Sequence, residues 1–129
     1  MNELTYESKI AVLKILTEIM NADNIVHENE ARYMNEVLTS FGMDDSVKPE
    51  IDRLLTLKAL SVVRQLPKLT KNEISRMMGK MIIIDSDINY NEVKLYNAFC
   101  QSCDIDGDFD IDDYPDYLLS GPFFDPEEL

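Results

Sequence analysis

Asp23-Asn24-Ile25-Val26-His27-Glu28-Asn29-Glu30 is the stretch that decides the fold, because the chain contains it twice. The second copy is Asp85-Ser86-Asp87-Ile88-Asn89-Tyr90-Asn91-Glu92, and both read Asp-x-x-(Val/Ile)-x-x-x-Glu at an offset of 62 residues. The same offset aligns the flanks. Val12 falls on Ile74, Leu16 on Met78 and Ile19 on Met81, while Met34 falls on Tyr96, Val37 on Phe99 and Phe41 on Cys103. Apolar meets apolar on both sides of a fixed acidic pair, the signature of a structural unit used twice.

The flanks carry helical spacing. Val12, Ile15, Leu16 and Ile19 recur three and four apart, as do Met34, Val37, Leu38 and Phe41. The expectation is a helix over 4–20, a loop holding the first motif, and a helix over 28–41 closed by Gly42 in a left-handed conformation. Asp44-Asp45-Ser46 reads as a turn and cap cluster, with Pro49 in a first helical turn. Residues 51–66 carry Leu54, Leu55, Leu57, Leu60, Val62, Val63 and Leu66 and are expected to form one central helix, stopped by Pro67. Thr70-Lys71-Asn72-Glu73 has the pattern of a capping box opening a fourth helix. A fifth follows over 90–103, and Asp112 to Leu119 is read as a short last helix. The fold class expected is all-α: a compact bundle of five to seven helices, two helix-loop-helix repeats related by a pseudo-two-fold. The division expected is a helical domain over 1–105 and an acidic C-terminal segment over 106–129, partly packed on it.

Charge is unevenly spread along the 129 residues, whose net charge is −13. From Asp104 to Leu129 there are ten acids and no base, whereas Lys48 to Lys80 holds eight bases and three acids. So acidic a chain is not expected to bind nucleic acid, which is held by bulk positive charge. No apolar run approaches the ~20 residues of a membrane-spanning helix, and no basic-then-apolar signal pattern opens the chain. Two cysteines make no disulfide framework. The location expected is cytoplasmic.

The repeated acids have two readings. Asn89 and Glu92 form a capping box, which accounts for Glu92 without a ligand. His27 is a weaker cap, so the same account of Glu30 is poorer. Asp23 and Asp85 stand just past helix carboxyl ends, where the macrodipole disfavours a negative charge by ~0.3–1 kcal/mol. A turn aspartate can bond its own backbone, but the matched recurrence favours a shared task. Carboxylates converging from a short loop suit a hard cation bound through oxygen, Ca²⁺ or Mg²⁺ before Zn²⁺. The metal candidates are Asp23, Glu30, Asp85 and Glu92. A shell of six to eight oxygens would need both loops together, or carbonyls and waters.

Helix, Ala22-Asp23-Asn24-x-Val26-x-x-x-Glu30, helix, with a second copy later, resembles the TerB family of tellurite-resistance proteins, whose loop reads Ala-Asp-Gly-x-Ile-x-x-x-Glu. The resemblance covers residues 4 to about 105. It implies a small all-α protein of bacterial stress and tellurite-resistance operons, acidic positions that bind metal, and protein partners that include membrane-associated Ter proteins. Two positions depart from the pattern: the family glycine is Asn24 here and Ser86 in the second copy. Asparagine tolerates the left-handed backbone better than serine. The acidic C-terminal segment lies outside the family pattern.

Other constellations are weaker. Ser102 to Asp113 partly fits a twelve-residue calcium loop, with Asp104, Asp106, Gly107 and Asp113 in register, but reads better as a solvated acidic segment. Cys100 and Cys103 have redox or zinc spacing, yet replace Leu38 and Phe41 of the first repeat and are expected in the core. The methionines at 34, 77, 78 and 81 are read as core filling. There is no nucleophile–base pair, phosphate loop or nucleophile elbow, so no catalytic residue is assigned. The reading that results is a non-enzymatic TerB-like module binding a divalent cation and engaging protein partners. The alternative is a metal-free interaction domain whose acids cap helices and whose acidic tail docks a basic partner.

Overall fold

A computed structural model describes residues 4–84 and 88–114. Six α-helices follow in order: α1 Tyr6–Met20, α2 Glu28–Ser40, α3 Lys48–Arg53, α4 Thr56–Arg64, α5 Lys68–Ile83 and α6 Tyr90–Ser102. Short 3-10 turns stand at Asp45–Val47 and Ile111–Asp113, and no strand occurs among the described residues. The expected all-α bundle is what forms. Adding 62 to the bounds of α1 and α2 gives 68–82 and 90–102, against 68–83 and 90–102 for α5 and α6. The repeat is therefore a repeat of structure, a helix-loop-helix on either side of an α3–α4 insert.

Burial repeats with it. Val12 and Ile74, Leu16 and Met78, Ile19 and Met81, Val37 and Phe99, and Leu38 and Cys100 are all core pairs at the same offset. Local signals explain the helix ends. Thr5 accepts the Ser8 N–H at 3.1 Å to cap α1. Gly42 closes α2 at φ +73°, where a side chain would be strained. Asp44 accepts the Ser46 N–H at 2.9 Å, and Pro49 lies in the first turn of α3.

Three expectations are corrected. The central helix is α1, which packs on α2, α3, α4, α5 and α6, and most extensively on α4. Ile10, Ala11, Val12 and Leu13 are four consecutive buried residues, so α1 is covered nearly all round. Residues 51–66 do not form one helix, because Leu54 and Leu55 take extended backbone between α3 and α4. On a continuous helix Ile51 and Leu60 would point about 180° apart. The break turns them to the same core, and leaves Leu55 and Leu57 in solvent. The capping box at Thr70 is not used either. α5 starts at Lys68 behind Pro67, whose carbonyl accepts the Lys71 N–H at 2.9 Å. The Lys71 side chain is buried instead, its Nζ donating to the carbonyls of Cys103 at 3.1 Å and of Arg64 and Asp104 at 3.4 Å. It so neutralises the carbonyl-rich ends of α4 and α6 together.

Beyond α6 the chain turns through Asp104 at φ +60° and Gly107 at φ +96° and returns over α5 and α6. Phe109 meets Tyr96 edge-on at 5.6 Å between ring centres and stacks on Tyr114 at 5.8 Å. Tyr114 lies over Gly79, where a Cβ would collide with the phenol. The helix read over Asp112 to Leu119 is only the 3-10 turn up to residue 114, and its remainder lies outside the described residues.

Candidate metal centre

The first loop is built from backbone outward. Asn24 takes φ +63°, a left-handed conformation that asparagine tolerates, and its N–H bonds to the Asn21 carbonyl at 3.0 Å. Asp23 accepts the Ile25 N–H on Oδ1 at 3.0 Å, the local bond by which a turn aspartate holds its own backbone. Its Oδ2 lies 4.0 Å from His27 Nε2. At the start of α2, Glu30 Oε1 accepts the His27 N–H at 3.0 Å, so the glutamate half of a capping box forms even with histidine in the cap position.

In the second copy it is the side chain of the cap residue that makes the bonds. Asn89 Oδ1 accepts the N–H groups of Asn91 at 2.8 Å and Glu92 at 3.3 Å, capping α6 as its sequence indicates. Glu30 and Glu92, equivalent in the repeat, are 0% and 1% exposed. A buried carboxylate is expensive unless opposite charge or hydrogen-bond donors surround it. Both stand in the first turn of a helix, where the positive end of the macrodipole offsets part of that cost. Asp85, the fourth candidate, lies outside the described residues, as do Ser86 and Asp87.

The two loops lie side by side. Asn89 Nδ2 donates to Asp23 Oδ2 at 3.3 Å, and Asn29 Nδ2 donates to the Ile84 carbonyl at 3.4 Å. Each loop thus contributes an asparagine amide to the other, across 66 and 55 residues of sequence. Asp23, though in a loop, has a side chain only 11% exposed. Asn89 therefore has two functions, of which the sequence shows only the cap. The amide bridge leaves no mark in the motif, because Asn89 is matched by His27 in the first copy. Around the acids, Val26 and Ile88, the aliphatic positions of the two motifs, both remain exposed.

The oxygen donors are of the type a hard cation takes. Among the described residues, however, no group of three or more His, Cys, Asp or Glu is arranged to hold a metal ion. Asp23 and Glu30 already accept backbone N–H groups, so a cation shell here needs acids of the second loop, carbonyls or water. The cysteines do not contribute. Cys100 and Cys103 are buried, and burial pushes each thiol up to about 11. Cys100 is also eleven residues along α6 from the Asn89 end, roughly 16 Å away along the axis, out of reach of His27. The aspartates from 104 to 113 are all exposed, along a path set by Phe109 and by Asp110, which caps its own 3-10 turn.

No protein-family model matches the sequence, and no curated protein matches it. The fold does have a counterpart among solved structures. It is similar to a crystal structure of a protein of unknown function from Porphyromonas gingivalis, with a TM-score of 0.73 over 92% of this chain and 98% of that one. Sequence identity is 16%, so the likeness shows a shared fold and nothing about activity. No helix among the described residues is long and apolar enough to cross a membrane.

Proposed function

We propose that this chain is a non-enzymatic, TerB-like stress-response module of the cytoplasm, whose paired acidic loops bind a divalent cation and which engages protein partners. The supporting observation is the contact between the loops, Asn89 to Asp23 at 3.3 Å and Asn29 to Ile84 at 3.4 Å. A single loop supplies too few oxygens for Ca²⁺ or Mg²⁺, and two adjacent loops supply enough. In this reading Asp23, Glu30, Asp85 and Glu92 are the ligands, carbonyls or water complete the shell, and the asparagine amides hold the loops in register. Ca²⁺ and Mg²⁺ fit the all-oxygen donor set better than Zn²⁺.

A metal-free reading has its own support. The Glu30 bond to the His27 N–H and the Asp23 bond to the Ile25 N–H give both acids structural work without an ion. The module would then be an interaction domain only, with its acidic segment meeting a basic partner.

Calorimetric titration of metal-stripped protein with Ca²⁺, Mg²⁺ and Zn²⁺ separates the two. Asp23→Asn/Asp85→Asn should abolish saturable heat, while Asp106→Asn/Asp108→Asn/Asp112→Asn should leave it intact. Heat lost only in the second variant would move the site to the C-terminal aspartates. No saturable heat with any of the three ions would eliminate the cation and leave the interaction domain.

A further inference from the structure

Arg53 to Asn72 contains no acidic residue, although the chain has 25 acids among 129 residues. It carries Arg53, Lys58, Arg64, Lys68 and Lys71, and all but the buried Lys71 are exposed. The same stretch holds the three most exposed leucines of the described residues, Leu55 at 74%, Leu57 at 80% and Leu69 at 78%. Large apolar side chains this bare are costly to leave in water, and Leu55 and Leu57 both fall at the start of α4, the kind of exposed apolar surface that marks an interaction site. Helix propensity does not account for Leu55, which precedes α4 on extended backbone.

We propose that the basic, leucine-bearing surface at the start of α4 docks the acidic C-terminal segment of a second copy of this chain, giving a reciprocal dimer. Charge complementarity carries the choice of occupant. Asp104 to Leu129 has ten acids and no base, and beyond residue 114 its sequence sets Tyr117, Leu118, Leu119, Phe123 and Phe124 among them. That is the mirror of a stretch of chain with bases and leucines and no acid. An anionic membrane is disfavoured as the occupant, since the same ten acids would be brought against it.

Within one molecule the described part of the segment lies elsewhere. The acidic segment begins beside the far end of α4, where Arg64 donates to the Ser102 carbonyl at 3.5 Å and Lys71 to that of Asp104. From there Phe109 and Tyr114 carry it over α6 and α5, with the Tyr114 hydroxyl donating to the Ser75 carbonyl at 3.5 Å. Leu57 stands seven residues back along α4 from Arg64, about 10 Å by helix rise. The described acidic run does not cover it. Exchange about a two-fold lets each copy present its segment to the other's leucines, an arrangement that closes at two chains.

Sedimentation velocity on the full chain tests this, at low and at high salt. The expected low-salt species has about twice the 14.9 kDa chain mass and shifts toward monomer as salt screens the charges. Leu55→Ser/Leu57→Ser and Lys58→Glu should each give monomer at low salt. Deletion of residues 115–129 should do the same. Helical circular dichroism is measured on every variant, and unchanged helicity shows that the loss is not unfolding. A wild-type monomer at every salt, or a dimer indifferent to the leucines or to the deletion, overturns the proposal. A wild-type monomer whose truncated form binds the 115–129 peptide at Leu57 would assign the surface to the chain's own tail and also overturn the second copy.

Discussion

Replacing Glu30 by glutamine separates the two readings of the loops by one charge. Glu30 is fully buried and its Oε1 accepts the His27 N–H at 3.0 Å. Glutamine keeps that acceptor, since either residue closes a capping box. Removing the charge loses ~0.3–1 kcal/mol of interaction with the helix end, against a smaller desolvation cost for a neutral amide. In chelator, Glu30→Gln should therefore unfold within about 1 kcal/mol of the parent. A bound cation changes the comparison. At a free concentration about 100-fold above Kd it stabilises the parent by about 2.7 kcal/mol. If losing one carboxylate weakens the site about tenfold, the variant gains only about 1.4 kcal/mol under the same conditions. Urea unfolding of both proteins, in EDTA and in Ca²⁺ or Mg²⁺, reads all four states from midpoints at constant slope. A parent midpoint that no cation moves refutes the cation reading. A variant that loses more than about 2 kcal/mol in chelator refutes the capping argument, because the retained acceptor would then not be what matters.

Other perturbations follow from the same geometry. Lys71→Met removes one good and two long charge-assisted hydrogen bonds from the ends of α4 and α6. It should cost about 2–4 kcal/mol in urea unfolding. Asn24→Ala places a Cβ-bearing residue that lacks asparagine's local bonding at φ +63° and should destabilise by about 1 kcal/mol, whereas Asn24→Gly should be neutral or slightly stabilising. Gly79→Ala favours the helix locally by up to about 1 kcal/mol but drives Tyr114 from its seat. Limited proteolysis should then cut near residue 114 sooner while helicity is kept. The two thiols, raised from 9.0 to about 11 by burial, should resist alkylation at neutral pH until the protein unfolds. Because the unfolded chain releases those protons first, their contribution to stability is intact below pH 9 and is lost as pH rises from 9 toward 11. Cys100→Ala/Cys103→Ala should flatten that alkaline decline in an unfolding series.

What the sequence discloses here is what repeats or what is local. The 62-residue offset relates α1 to α5 and α2 to α6 to within a residue at their ends, since equivalent chain segments meet equivalent neighbours. Gly42, Asn89, Pro49 and the cysteines are legible for a similar reason. Gly42, Pro49 and the Asn89 cap depend on their own backbone or on a partner two or three positions away, and the cysteines on the apolar residues they match in the first repeat. The failures share the opposite cause. Leucine density made residues 51–66 look central, but centrality depends on how many helices surround an element. Only Ile10-Ala11-Val12-Leu13, buried in succession, carries that signal. Lys71 sits inside a plausible capping pattern, and its true partners are the carbonyls of Arg64, Cys103 and Asp104, two of them more than thirty residues away. The candidate site divides along the same line. The motif names the acids, and the bonds from Asn89 to Asp23 and from Asn29 to Ile84 supply what it could not, namely that the two loops face each other. Those bonds join one repeat to the other rather than repeating within each. Asn89 falls on His27, so a search for matched positions passes over it, while Asn29 falls on Asn91 and that match shows nothing of the bond Asn29 makes to the other repeat.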